Sequence, residues 1–288
     1  MESGGPAPLV SILTPSFNQG CWLRDNIESV EMQTFLGIEH VIMDGGSTDE
    51  TVEILEAAGP RVRWRSQVDR GQSHALNMAL ELSEGEILGW LNSDDAYLHP
   101  DAVASVVDVF SRNPDTDVVY GHAVLATSSG LPLQVLHVPR YSLSLLRLAN
   151  YIIQPAVFMR RRVVSEGIAD ERFDYAMDHE LWLRLSAEAR FERIDRVLAL
   201  DRHHLRRKSY TRLDLAAADE QRLIAMYGIP SGPAARAASK LAVIALRLSG
   251  IAQVWTTDWE SSPAVHLDSR AALTARQVFV PRARMPIE

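Results

Sequence analysis

The chain has 288 residues, 47% of them hydrophobic and 23% charged, which is the composition of a folded globular protein and not of a disordered, collagenous or coiled-coil chain. Its formal charge of −8 and pI near 5.6 exclude a nucleic-acid partner held through phosphate contacts, because such binding needs a net basic surface. A single cysteine, Cys21, excludes an internal disulfide and a cysteine-built zinc site and suits a reducing compartment.

Residues 9–14 are a short apolar, β-prone run ended by Pro15, which reads as a buried strand delivering Ser16, Phe17 and Asn18 at its carboxyl end. A helix is expected over 21–33. Residues 39–43 read as a second strand running into Asp44-Gly45-Gly46, and Ser47-Thr48-Asp49-Glu50 as a capping box opening a helix over 51–58. A third strand is expected over 62–66, a third helix over 73–82 and a fourth strand over 87–91, ending in Asn92-Ser93-Asp94-Asp95. Pro100 opens a further helix, since proline suits the first turn, and residues 118–120 continue the alternation. The first part of the chain thus predicts an α/β fold with an open, mostly parallel sheet flanked by helices. Ligands of such sheets bind beyond the carboxyl ends of the strands, and the polar clusters at 15–18, 44–47, 69–73 and 92–95 all fall there.

Beyond Gly121 the pattern is mixed, with strands expected over 156–160 and 197–200 and helices over 178–187 and 212–227. Gly228 to Pro233 then breaks the chain before an amphipathic helix over 234–254. At roughly 150 residues per domain, the length accommodates one large domain with an appendage. Residues 1–8 lack the basic start and apolar run of a signal peptide, and the longest apolar stretch, 241–246, is far short of the roughly 20 residues that span a bilayer. The expected location is cytoplasmic, with peripheral contact at the inner face of the membrane as the alternative.

Adjacent carboxylates at a strand end, Asp94 and Asp95, can divide their work between a ribose hydroxyl and a divalent cation, because hard oxygen ligands suit Mg²⁺ or Mn²⁺. The same tetrapeptide can equally form an Asx turn. Asp44, followed by two glycines, either accepts hydrogen bonds from a nucleobase or closes a tight turn. Asp69-Arg70-Gly71-Gln72-Ser73 places a guanidinium where it offsets phosphate charge or forms a surface ion pair. Asp178 opens a helix whose Leu181, Trp182 and Leu185 lie at core-facing spacing, so it either faces a cleft or caps the helix.

The ordered set Pro15-Ser16-Phe17-Asn18, Asp44-Gly45-Gly46-Ser47-Thr48-Asp49, Asp69-Arg70-Gly71-Gln72-Ser73 and Ser93-Asp94-Asp95 resembles the family 2 glycosyltransferases over residues 9–209. That resemblance implies a GT-A fold, a nucleotide-sugar donor (a UDP- or dTDP-sugar), inversion at the anomeric carbon and an acceptor hydroxyl on a glycan, glycolipid or small molecule. It implies that Pro15, Ser16 and Asn18 line the donor pocket, that Asp44 meets the base, that Asp69, Arg70 and Gly71 border the nucleotide, and that Ser93 and Asp94 hold the ribose side. Asp95, completed by His204, is the implied Mn²⁺ or Mg²⁺ ligand. Asp178, preceding Leu181-Trp182-Leu183-Arg184, becomes the implied catalytic base, with Met177 where relatives often carry Glu and with Glu180 as the fallback. Gln154, His179 and Glu180 fall on the acceptor side, and residues 202–208 resemble the segment that closes over the donor pyrophosphate.

The implied division is a catalytic domain over 1–211 and a C-terminal helical extension over 212–288. In the extension Arg236, Lys240 and Arg247 lie beside Leu241, Val243, Ile244 and Leu248, which suits an anionic membrane surface or a homodimer. A nucleotidyltransferase would use the same sheet and carboxylates, but its glycine-rich, lysine-bearing loop after the first strand is missing. A catalytically silent nucleotide-sugar-binding protein would keep the acidic cluster without reacting.

Overall fold

The computed structural model describes residues 9–249. In chain order the elements are β1 (Val10–Ser16), α1 (Gly20–Glu31), β2 (Ile38–Asp44), α2 (Thr51–Glu56), β3 (Val62–Ser66), α3 (Gln72–Leu82), β4 (Ile87–Trp90), β5 (Ala96–Tyr97) and α4 (Ala102–Arg112). They continue with β6 (Val118–Thr127), β7 (Pro132–Leu136), α5 (Leu143–Leu148), β8 (Val157–Arg160), α6 (Met177–Leu185), β9 (Phe191–His203), α7 (Lys208–Thr211), α8 (Leu213–Tyr227) and α9 (Pro233–Ser249). The part of the last expected helix over 250–254 lies outside the described residues.

The strands join one sheet in the order β3-β2-β1-β4-β8-β6-β9-β5, with β7 off this path, pairing β6 beyond the residues that pair β8. The arm from β3 to β4 is parallel throughout. β8 then runs antiparallel to both β4 and β6, and β9 returns parallel to β6. Whereas β3, at the edge, buries Val62 and exposes Arg63, Arg65 and Ser66, β1, β2 and β4 are buried at every residue because both faces of the sheet are covered there. Successive residues of β1 show this: Ile12 enters a core layer with Val103, Val106 and Phe110 of α4, while Leu13 enters the opposite layer with Leu76 and Leu80 of α3 and Leu181 and Trp182 of α6.

β1 does not stop at Pro15, as the sequence suggests, but pairs with β2 as far as Ser16 opposite Asp44. The reason is directional. The Leu13 carbonyl accepts from Leu91 and the Ser16 carbonyl from Gly45, so odd positions of β1 face β4 and even positions face β2. Pro15 faces the β4 side after that ladder has ended at Leu13 opposite Trp90, and its missing N–H costs nothing there.

The expected capping box at 47–50 does not form. Asp49 Oδ1 instead accepts from the Thr51 N–H and hydroxyl, and its Oδ2 accepts the Gly20 N–H at 3.0 Å, tying the start of α1 to the start of α2. α8, in the expected extension over 212–288, packs on the rest of the fold, for Leu223 is 3% exposed within the core and Arg147 of α5 bonds the Tyr227 and Gly228 carbonyls at its end. On α9, Lys240, Leu241 and Ile244 are exposed. Among the described residues no helix is long and apolar enough to cross a membrane.

Candidate active site

The loops after β1, β2 and β3 meet edge to edge. Asn18, in the left-handed region at φ 52°, accepts the Thr48 N–H at 2.9 Å, and its own N–H donates to the Ser47 hydroxyl at 2.7 Å. Asp44 is fully buried. Its Oδ2 accepts from the N–H groups of Gly46 and Ser47 and from the Ser66 hydroxyl at 2.6 Å, and its Oδ1 accepts the Ser47 hydroxyl. The carboxylate therefore builds the loop it stands in. Gly45 lets the loops approach, since a Cβ would lie 2.9 Å from an Asp69 carboxylate oxygen and 3.3 Å from the Phe17 ring and both side chains would have to shift. Asp69 in turn accepts the Gly71 N–H at 2.7 Å. Ser16 ends β1 with a buried hydroxyl that has no hydrogen-bond partner among the described residues. Arg70, expected beside phosphate, is exposed and makes a bidentate pair with Glu171, so its charge is already balanced.

The second group lies where β5 runs antiparallel to β9, with Ala96 opposite Leu200. That register sets Asp94 and Asp95 against the end of β9. Asp95 Oδ1 accepts the Arg202 N–H at 3.0 Å, His204 Nε2 lies 2.9 Å from Asp94 Oδ2, and Arg207 pairs with Asp201 at 2.8 Å. Asp201 escaped the sequence reading, although it is a strand-end carboxylate like Asp44 and the same rule finds it. Arg202 belongs to the expected pyrophosphate segment, but it is fully buried and paired with Asp25 of α1. The cation of that segment beside the carboxylates is Arg207, paired with Asp201.

The electrostatics follow from crowding. Burial opposes the charge on Asp94, but the His204 hydrogen bond and the Arg207 charge hold it below the ordinary carboxylate range. Burial, then the neighbouring Asp94 and Asp201, push Asp95 well above that range despite Arg207. Burial also raises Asp201, and the Asp94 and Asp178 charges add to it. Asp178 is therefore within electrostatic reach of the same cluster, although it comes from a different element. Burial lowers Lys208, while Asp174, Asp219 and Asp69 act in the opposite direction.

Asp178 sits in the first turn of α6, its Oδ2 accepting from Asn150 at 2.8 Å and its Oδ1 from the His179 N–H at 2.8 Å. The other acceptor-side expectations are corrected by burial. Glu180 is fully buried, paired with Arg184 at 3.0 Å and receiving the Tyr227 hydroxyl at 2.6 Å, so it faces the protein and is no fallback base. His179 Nε2 is occupied by the Leu146 carbonyl. Gln154 receives the Asn92 amide at 2.7 Å and donates to the Trp90 carbonyl at 2.5 Å, which fixes the turn that precedes Ser93 and Asp94. Ser93 donates to the Gln19 side chain.

Among the described residues no group of three or more His, Cys, Asp or Glu side chains forms a ready metal cage. A cation shared with a diphosphate does not need one, since Mg²⁺-type ions take one or two carboxylates and complete their shell with phosphate oxygens and water. The donor set fits that mode: Asp95 is crowded by the neighbouring carboxylates Asp94 and Asp201, and His204 Nδ1 is buried without a hydrogen-bond partner among the described residues while its ring stacks on Trp22 at 3.9 Å.

Residues 11–167, more than half of the chain, match the family described as Glycosyl transferase family 2. A chondroitin synthase from Escherichia coli is 33% identical over 213 residues, covering 72% of this chain and 31% of that protein. An uncharacterized glycosyltransferase from Rickettsia felis is 29% identical, covering 68% of this chain and 34% of that protein. The chain thus spans about a third of the length of these relatives. Among solved structures, S. aureus TarS 1-349 in complex with UDP-GlcNAc is similar at a TM-score of 0.60 and 15% identity, over 92% of this chain and 80% of that one. Glucosyl-3-phosphoglycerate synthase from Mycobacterium tuberculosis, in complex with Mn²⁺, UDP and glucosyl-3-phosphoglycerate, is similar at 0.56 and 20% identity, over 78% of this chain and 82% of that one.

Proposed function

The chain belongs to glycosyl transferase family 2 with a GT-A fold, and on that premise we propose that it transfers a sugar from a uridine or thymidine diphosphate donor to an acceptor hydroxyl, with inversion at the anomeric carbon. The observation that carries the reading is the gathering of Asp94, Asp95, Asp201 and Arg207 at the end of β9, with Asp178 close enough to act on Asp201. The UDP complexes of the two similar folds support a uridine donor. The chondroitin synthase likeness supports a growing polysaccharide among the candidate acceptors, which also include glycolipids and small molecules.

In this mechanism Asp178 accepts the proton of the attacking hydroxyl, oriented by Asn150 on one oxygen and by the His179 N–H on the other. Attack comes from the face opposite the nucleotide, and a single displacement inverts the anomeric centre. Arg207 presents positive charge where the diphosphate departs. Asp95 and His204 are the residues to hold Mn²⁺ or Mg²⁺, whose charge, when bound, stabilises the leaving group. Asp94 is held ionised for the ribose hydroxyls, and the loop carrying Ser16, Asn18 and Asp69 encloses the nucleoside.

The test has two parts. UDP with Mn²⁺ should raise the melting temperature, because a ligand that binds only the folded state stabilises it. Asp178→Asn should keep that shift and lose turnover by roughly 1,000-fold or more, since an amide cannot take the proton. Near-normal transfer by Asp178→Asn removes the base assignment, and the absence of any nucleotide-dependent shift removes the donor reading.

A further inference from the structure

We propose that Asp219 of α8 is a positioning residue that fixes the amino-terminal end of α6, and with it Asp178. The inference rests on Asp178 being the base.

Asp219 is fully buried. One of its oxygens, Oδ2, accepts three consecutive backbone N–H groups, those of Asp174 at 3.1 Å, Tyr175 at 2.7 Å and Ala176 at 3.0 Å. Its other oxygen is paired with Arg222 at 2.6 Å. The three N–H groups belong to the residues immediately before α6. Ala176 is the N-cap residue of α6, and Asp174 and Tyr175 precede it, so the carboxylate gathers the N–H groups of the approach to the helix and of its cap residue. It is also negative charge near the positive end of the helix dipole, where such charge is favoured.

Asp219 does not act alone. Asp219, Leu223 and Tyr227 recur every four residues and so share one face of α8. Leu223 is buried in the core layer that contains Leu181, and the Tyr227 hydroxyl bonds Glu180 in the middle of α6. α8 thus holds α6 at its start and along its side, and Asp178 lies between the two tethers. Removing the carboxylate leaves three buried or half-buried donors unpaired, and the segment 174–176 must move to find water. Asp178 follows, and a displacement on the order of 1 Å costs about 100-fold in rate.

The experiment uses the full chain, with Mn²⁺ and the UDP-sugar that the wild type hydrolyses fastest among UDP-glucose, UDP-galactose and UDP-N-acetylglucosamine. Asp219→Ala should bind UDP with Mn²⁺ within about twofold of wild type by calorimetry, while kcat falls by about 100-fold at unchanged KM. Asp219→Asn, which retains one acceptor oxygen, should recover about tenfold of that loss. Wild-type kcat in Asp219→Ala, or UDP affinity falling in step with kcat, overturns the proposal. Should Asp219→Ala not fold, Asp219→Asn decides alone, and wild-type kcat in that variant overturns it. Asp178→Asn runs in parallel: if it stays active, the base reading has failed, whereas an inactive Asp178→Asn beside a fully active Asp219→Ala rejects the clamp only.

Discussion

Asp95 and Arg70 show how differently two charges at one site are engaged. Asp95 is enclosed, holds the Arg202 N–H on one oxygen, and has its proton affinity raised by burial and by Asp94 and Asp201. A cation beside it relieves that repulsion. Asp95→Ala should therefore weaken UDP binding in the presence of Mn²⁺ by about 100-fold, the upper end of what losing even an indirect partner of a metal ligand costs. Binding without metal should be nearly unchanged, and calorimetry with and without Mn²⁺ reads both. Arg70, by contrast, is exposed and bidentate with Glu171, so Arg70→Ala should alter UDP affinity by less than about twofold, as for other exposed ion pairs. The reverse ranking of the two variants would remove Asp95 from the cation site.

At the scale of elements, α8 makes the sharpest stability prediction. Leu223→Ala empties part of the layer between α8 and α6 and should cost about 2–5 kcal/mol, whereas Leu213→Ala, at a position 62% exposed, should stay within about 0.5 kcal/mol. Denaturant midpoints decide, and equal effects would mean that α8 is not packed as described. The same helix shows what the sequence hides. The strands β1, β2 and β4 were legible as short β-prone runs rich in buried apolar residues and β3 by Val62 and Trp64 alternating with Arg63 and Arg65, and polar residues that the site uses follow each of them. α8 was legible as a C-terminal helix, but its tie to α6 was not, because one of its two buried residues is an aspartate, which a hydrophobic pattern counts as surface. Glu180 and Arg202 mislead for the same reason, being charges that burial tolerates only because Arg184, Tyr227 and Asp25 pair with them. β5 is two residues long, and the first half of β9, Phe191 to Arg196, carries charge at Glu192, Arg193, Asp195 and Arg196, which hides its strand pattern, while its second half pairs with β5. Their pairing, which brings Asp201 to Asp95, is a long-range event that no local window contains.

For the molecule as a whole, the sheet interior makes stability depend on pH through a residue remote from the chemistry. His40 lies within β2, where Nε2 shares a 2.8 Å hydrogen bond with Thr14 while Nδ1 is buried without a partner. Burial pushes its pKa from 6.5 down to about 3. In the unfolded chain an ordinary histidine takes up a proton as pH falls through 6.5, while the folded chain refuses it. The unfolded state therefore binds more protons below that pH, so the contribution of His40 is complete above 6.5 and is lost as pH falls toward 3. His137, lowered to about 4 by burial and by His122, acts in the same sense. Asp95 and Asp201, whose proton affinity is raised, act oppositely, so the wild-type curve is a sum of opposing slopes. His40→Gln separates one of them, because the glutamine amide keeps a polar atom near Thr14 but takes no proton. Between about pH 7.5 and about pH 5 the wild type should lose up to about 2 kcal/mol through this one site. The difference in urea midpoint between those two conditions should be smaller in His40→Gln by that amount. An identical difference in the two proteins would show that His40 is hydrated in the folded state and that the sheet interior at β2 is not sealed.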